Sequence, residues 1–377
     1  MLTVDTTKPY RIFAEHLEPE ALRQFEQAMQ LESTVRGALM PDAHTGYTLP
    51  IGAVIATQDW VYPSFVGYDI GCGMCAQRVS VPVAEVRSKA REIFDEIYRR
   101  IPVGFAHNQR PADWPLLQDK LPMSDKLKEI FERDGLCQLG SLGGGNHFIE
   151  IGEAQSDGSV WIVIHSGSRG IGHAVATHYM RLASGDGKAR EGFYGFNVGT
   201  EVLGHDYLWD QSFCLQFALA NRGEMMRRVI NILVELGTQK PGGPKLGPLI
   251  NRNHNHVELR DGLWIHRKGA THAEKDMWGV IPGNMRDGSF IVQGLGNPES
   301  LYSSSHGAGR QLGRKAAKAT LNMTDFQQAL NGVTARVTEN TLDEAPQAYK
   351  DIFAVMRLQD QLVTVKEHIQ PIINIKG

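Results

Sequence analysis

Five short segments set side chains able to bind a metal ion or a phosphate into glycine-rich or amide-rich backbone. They are Gly67-Tyr-Asp-Ile-Gly-Cys-Gly73, Gly143-Gly-Gly-Asn-His-Phe-Ile-Glu150, His165-Ser-Gly-Ser-Arg169, Asn253-His-Asn-His256 and His306-Gly-Ala-Gly-Arg310. Any one of these histidines alone reads as a hydrogen-bonded core residue. Together they read otherwise, because 14 histidines scattered at random over 377 residues would rarely gather in glycine-rich loops. Asp69 and Cys72 stand three apart around a glycine turn, so a hard carboxylate and a thiolate can converge on one ion, or the sulfur can bridge two. His147, His165 and His254 would complete a mixed oxygen, sulfur and nitrogen set suited to a divalent transition metal. Affinity order by itself favours zinc over manganese, so ligand chemistry does not name the ion. The competing reading of Cys72-Gly-Met-Cys75 is a redox pair or half a zinc knuckle. It fits less well, because no second C-x-x-C exists and the flanking glycines argue against the helix N-terminus that activates a redox thiol.

The segment after His306 reads as a glycine turn followed by a helix, with Arg310, Arg314 and Lys318 spaced i, i+4, i+8 on one face and Lys315 beside them. Such a stripe faces an anion. Glycines at 307 and 309, helix amides and a guanidinium one turn later would hold a nucleotide phosphate. His306 at its mouth could attack phosphorus as a neutral imidazole, the majority form of a free histidine at neutral pH. The chain has no Walker A sequence, no G-x-G-x-x-G opening a helix, no H-E-x-x-H and no Lys-x-Asp-Gly of the ligases that carry nucleotides on lysine. Covalent activation of a nucleotide would therefore fall to histidine.

The elements that position these groups are short. Strand-like runs lie at Gly52 to Ala56, Val160 to Ile164, Leu263 to Ile265 and Ser289 to Val292. Helical periodicity runs through Val86, Ala90, Ile93, Ile97 and Ile101, through Asp206 to Leu236 with an interruption at Gly223, and through Thr324 to Leu330 with Thr324 as the N-cap. A histidine directly after the Val160 to Ile164 run is what a site at a strand end looks like. Strands and helices do not alternate in a strict βαβα rhythm, so a mixed α+β architecture is expected rather than a doubly wound parallel sheet. No linker or repeat marks a boundary, and residues 1–377 are expected to form one domain.

Composition narrows the function classes. With 39 Lys plus Arg against 42 Asp plus Glu and 42% apolar residues, the chain is neither disordered nor coated with positive charge, although a local basic patch is still allowed. No window approaches 18 apolar residues and the opening residues lack a signal-peptide pattern, so a cytoplasmic protein with no membrane contact is expected.

Further segments complete a pattern that is specific in combination. They are Pro41-Asp-Ala-His-Thr-Gly46, Asn221-Arg222, His266-Arg-Lys-Gly-Ala270, Ile281-Pro-Gly283, Asp343-Glu-Ala-Pro346 with Tyr349-Lys350, and Lys376-Gly377. With the five segments above, and in this order along nearly the whole chain, they resemble the RtcB family of RNA ligases. The resemblance implies β-sheets packed around a central metal and nucleotide cleft, with helices outside. It implies a GTP- and manganese-dependent enzyme, with two ions, that joins an RNA 2′,3′-cyclic-phosphate or 3′-phosphate end to a 5′-hydroxyl end in RNA repair or tRNA splicing. By matching position, Asp69, Cys72, His147, His165 and His254 would be the metal ligands and His306 the guanylylated nucleophile. Asn146, Phe148, Glu150, Ser289, Gly307, Ala308, Gly309, Tyr349 and Lys376 would surround the guanine nucleotide, and Arg169 and Arg310 would neutralise phosphate. An archease helper assists some members of that family.

The chain departs from the family pattern in three ways. Asn284-Met-Arg-Asp287 replaces a small turn after Pro282-Gly283, which would put a bulky charge pair near the nucleotide. Gly313-Arg314 replaces Ser-Arg, and the chain is short for the family. Two other functions compete with the ligase: a metal-dependent phosphodiesterase that opens cyclic phosphates without needing His306, and a non-catalytic RNA-end-binding protein.

Overall fold

Val160-Trp-Ile-Val-Ile-His-Ser166 is a β-branched run buried along nearly its whole length, as an uninterrupted apolar strand requires. In the computed structural model, which describes residues 2–114, 122–237 and 243–377, it lies inside an eight-stranded sheet between Phe148–Ala154 and Gly73–Val79. The order continues past Gly73–Val79 to Ile250–Asn253, and on the other side to Val363–Lys376, Ser289–Gly294 and Trp278–Pro282. These neighbours are antiparallel. Phe148 lies opposite His165, and Gly73 lies opposite both Ser166 and Asn253. That register brings residues 72, 147, 165 and 254 to one end of four adjacent strands.

The second sheet orders Tyr10–Ile12, Thr34–His44, Ile51–Thr57, Leu263–Lys268 and Asn255–Arg260. His254 is the one residue between a strand of the first sheet and a strand of the second. The cleft forms at this junction. A separate ribbon pairs Ala270–His272 with Ser303–Ser305 and delivers His306 at its end. The architecture is the mixed α+β one expected, and among the described residues no helix is long and apolar enough to cross a membrane.

Three expected helices come out differently. The Val86 to Ile101 run is two helices, Val83–Ser88 and Ala90–Arg100, with Lys89 between them at φ −106°, ψ 12°. The helix over 206–236 is not interrupted at Gly223 but runs from Val202 to Glu235. Gly223 costs about 1 kcal/mol relative to alanine in a helix. Two cores outweigh it: Tyr207, Phe213, Cys214 and Phe217 pack into one cluster, and Met225, Met226, Val229, Ile232 and Leu233 into another. The helix near Thr324 spans Met323–Ala329 and is capped by Asn322, whose side chain accepts from the Asp325 amide. The helix thus starts two residues earlier than expected, and the Asn322 amide oxygen satisfies an orphan N–H of its first turn.

Candidate active site

Cys72 stands at the centre of a chain of close contacts. Its Sγ lies 3.2 Å from His165 Nε2 and 3.4 Å from His147 Nε2. His147 Nε2 lies 3.0 Å from Asp69 Oδ2, and His165 Nε2 lies 3.4 Å from His254 Nε2. Two ligand triads result, Cys72 with His165 and His254, and Cys72 with Asp69 and His147, the donor atoms of each within 4.8 Å of one another. The five predicted ligands are thus gathered, with the thiol common to both sets.

The donor set fits a divalent cation. Nδ1 of His147 donates to the Leu142 carbonyl at 3.0 Å and Nδ1 of His165 to the Asn146 carbonyl at 3.2 Å, so the inward Nε2 atoms carry lone pairs. Those lone pairs then face a carboxylate, a sulfur and each other, an arrangement that a cation relieves. His254 Nδ1 is buried without a partner among the described residues. Burial, together with neighbouring cationic groups, holds His165 and His254 well below the usual histidine range, which keeps them neutral and able to ligate. Burial and then Asp69 push the Cys72 thiol well above its usual range, against the pull of Arg222. A cation must therefore displace the thiol proton.

The long helix fixes this cage from behind. Arg222, fully buried, donates to the carbonyls of Gly71 at 2.9 Å and Ser166 at 2.8 Å, and to the side chains of Asn251 and Asn253, each at 2.7 Å. Asn221 bonds Gly140, Ser141, Ser166 and Gly167. Two consecutive residues thereby tie together the loops that carry Asp69, Cys72, His147 and His165, which explains why the helix must pass Gly223 unbroken.

His306 joins the cage through His254, ring centroids 4.8 Å apart. Its Nδ1 lies 2.6 Å from Asp42 Oδ2, and its backbone amide donates to the same oxygen at 3.2 Å. Asp42 is fully buried. Burial opposes its charge, but His306, His44 and Lys350 outweigh that and hold the carboxyl below the usual range. A carboxylate at Nδ1 places the proton there and leaves Nε2 as a lone pair with no hydrogen-bond partner among the described residues. The backbone of Asp42 is approached so closely by Gly309 (φ +75°) that a Cβ there would lie 2.2 Å from its carbonyl oxygen. Only glycine fits.

A cavity of about 290 Å³ opens beside His306 and His165. Asn146, Phe148, Glu150, Gly307, Ala308, Gly309, Arg310, Tyr349 and Lys376 line it. Ser289 stands behind this wall and donates to Glu150 at 3.0 Å. Burial pushes the Glu150 carboxyl up to about 8, with Ser289, Asn374 and Lys376 pulling the other way. Arg169 is not in this cavity; it lies at the far end of the cage, near Asp69 and His147.

The cationic stripe is built differently from the sequence expectation. The helix after His306 begins only at Arg314, capped by Gly313, and Arg310 sits before it in a bridge with Tyr349. Instead of facing a free anion, the stripe converges on the protein's own carboxylates. Arg310 and Arg314 reach Glu344 at 3.2 and 2.6 Å, and Arg314 and Lys318 reach Asp343 at 2.6 and 3.4 Å. Tyr349 and Lys376 complete the shell of Glu344, each at 2.6 Å. Burial alone would raise Glu344, but Lys376 and Arg314 hold it at about 2. The cations are thus spent on fixing the cavity wall. Likewise the Arg286–Asp287 pair closes on itself at 2.7 Å without lining the cavity, where Asn284 and Met285 stand instead.

Asp42, His44, Arg222 and Glu344 lie in segments of the family pattern, but residue type and spacing alone assign them no role. The available signal was an acid two residues before a histidine in Pro41-Asp-Ala-His44, and an acidic pair beside Tyr349.

A carboxylate-oriented histidine beside a thiol, carboxylate and imidazole cage, at the junction of two sheets, is compatible with a cleft that takes a metal cofactor. Residues 24–127 and 117–377 match the family model described as tRNA-splicing ligase RtcB. Over 368 residues the chain is 37% identical to RNA-splicing ligase RtcB1 of an Escherichia coli strain, with 90% of each chain covered. It is 36% identical to RNA-splicing ligase RtcB of Escherichia coli K12 over the same shares. With tRNA-splicing ligase RtcB of Nanoarchaeum equitans it shares 29% identity over 98% of this chain and 95% of the other. The chain belongs to the RtcB family.

Proposed function

We propose that the protein is an RNA ligase that consumes GTP, works with divalent manganese, and joins a 2′,3′-cyclic-phosphate or 3′-phosphate RNA end to a 5′-hydroxyl end. The observation that carries this reading is the Asp42–His306 contact, which leaves an imidazole lone pair between a metal-competent cage and the cavity lined by Asn146, Phe148, Glu150 and Lys376. Asp69, Cys72, His147, His165 and His254 would hold the ions, which when bound would polarise phosphate oxygens and neutralise the charge developing on them.

His306 Nε2 attacks the α-phosphorus of GTP; a P–N bond forms and the bond to pyrophosphate breaks. Asp42 stabilises the positive charge that develops on the ring. Water opens a cyclic phosphate, adding to phosphorus as the bond to O2′ breaks and O2′ takes the proton. An oxygen of the resulting 3′-phosphate displaces histidine from the guanylyl phosphorus. Finally the 5′-hydroxyl oxygen bonds to the RNA phosphorus, GMP leaves, and the hydroxyl proton passes to water. Glu150 at the cavity wall is suited to accept from the paired N–H groups of guanine, and Lys376 and Tyr349, fixed by Glu344, would frame the base.

Incubation with α-labelled GTP and manganese tests the reading. Label that survives denaturation and vanishes in His306→Ala supports it. A chain that opens cyclic phosphates yet never takes label would be a phosphodiesterase.

A further inference from the structure

The strand that closes the cavity beside His306 ends in Pro371-Ile-Ile-Asn-Ile-Lys376, one amide in an apolar run. Alternation along the strand sends Ile373 and Ile375 into the core beneath the long helix and turns Asn374 and Lys376 to the cavity. Asn374 is only 2% exposed. A buried amide among isoleucines is destabilising unless both of its ends find partners.

Only one end does. Asn374 lies directly opposite Glu150 in the register of the two strands, and its Nδ2 donates to Glu150 Oε2 at 3.3 Å. Its Oδ1 is buried without a hydrogen-bond partner among the described residues. No other described side chain lining the cavity has a buried nitrogen or oxygen left in that condition. Asn284, on the same cavity, spends both its ends on Asp287 and on the backbone amides of Arg286 and Asp287. Ser289 donates to Oε1 of the Glu150 carboxyl at 3.0 Å, so an open acceptor stands at the Oε2 side alone.

The group that would complete this wall is a donor. Guanine offers N1–H and one N–H of its 2-amino group to a carboxylate, and the second N–H of that amino group points past the carboxylate along the sugar edge of the base. Towards an ionised Glu150 the amide of Asn374 turns its NH₂, which leaves Oδ1 beside Oε2 as the acceptor. We infer that Asn374 Oδ1 accepts the second N–H of the guanine 2-amino group, which makes Asn374 a specificity residue for position 2 of the purine. The inference rests on the ligase reading and adds to it a residue that tests for the amino group. A purine without that group leaves a buried acceptor unpaired, and such a loss discriminates more strongly than a missing apolar contact.

The test compares GTP, ITP and N2-methyl-GTP on the full chain with manganese, reading both binding and covalent labelling. Hypoxanthine keeps N1–H and O6 but has no 2-amino group. N2-methylguanine keeps one amino N–H for Glu150 and puts its methyl group where Asn374 would accept. The parent chain should bind N2-methyl-GTP about tenfold more weakly than GTP, and ITP more weakly still. Asn374→Leu, close to asparagine in shape, should bind GTP about tenfold more weakly while ITP stays within about twofold of its parent value. Equal weakening of GTP and ITP in Asn374→Leu would overturn the inference, because a residue that merely holds Glu150 affects both nucleotides alike. Parent affinity for N2-methyl-GTP equal to that for GTP would overturn it without any variant. A parent chain that takes no label from GTP would overturn the ligase reading, and the inference with it.

Discussion

Asp42 Oδ2 and His306 Nδ1 lie 2.6 Å apart across 264 residues of sequence. The contact joins the second sheet to the ribbon that ends at His306, and it fixes which imidazole nitrogen is free to react. Asp42→Asn offers a neutral group that no longer dictates the tautomer or supports a developing imidazolium. Labelling of His306 by GTP should fall by about 10²–10⁴-fold. Retained manganese binding, measured by calorimetry, would show that the cage survives; near-parent labelling would sink the role given to Asp42.

Cys72 sets the pH dependence of the cage. Its folded pKa is raised by burial and Asp69, so the thiol is protonated at neutral pH until a cation displaces the proton. Manganese affinity should therefore rise with pH and binding should release protons. Cys72→Ala should bind more weakly by at least the roughly 10–100-fold that outer-shell partners cost, with a flatter pH profile. Calorimetry in buffers of different ionisation enthalpy reads both.

Glu150 should titrate when the nucleotide binds. Burial pushes its carboxyl up to about 8, so the ligand-free protein holds it protonated at pH 7. Guanine N–H donors favour the carboxylate, so GTP binding should release close to one proton at pH 7 and almost none at pH ~9. Glu150→Gln should abolish the release. In the ligand-free protein a raised carboxyl pKa means that stability present below the ordinary value of 4.5 is lost as pH climbs towards about 8. Denaturant titrations of Glu150→Gln should lack that loss, which is of the order of several kcal/mol.

Arg222 and Arg227 lie on the same helix and should behave oppositely. Arg222→Met leaves two carbonyls and two asparagine oxygens without their buried donor, and should cost about 3–5 kcal/mol and weaken metal binding. Arg227 pairs with Glu224 on the surface, its side chain 61% exposed, and Arg227→Ala should cost less than about 0.5 kcal/mol. Urea unfolding compares them directly; similar losses would refute the idea that Arg222 ties the cage together.

The amino-acid sequence by itself determined the chemistry available: which residues can ligate, which histidine stands apart from them, and that a β-branched run ends in His165. These are local properties, set by residue type and by a period of two along a strand. What lies between distant segments was decided only by the tertiary structure. Antiparallel register, which no single strand encodes, brings Cys72, His147, His165 and His254 to one sheet end. Helix propensity at Gly223 argued for a break, and burial of two cores on either side overrode it. The spacing of Arg310, Arg314 and Lys318 argued for a free cationic face, yet Asp343 and Glu344 fold onto it, because a carboxylate can be buried there only with cations around it. The sequence held Asp42 in plain view, but its partner lies far along the chain, and a hydrogen bond between distant residues exists only once the fold has closed the distance.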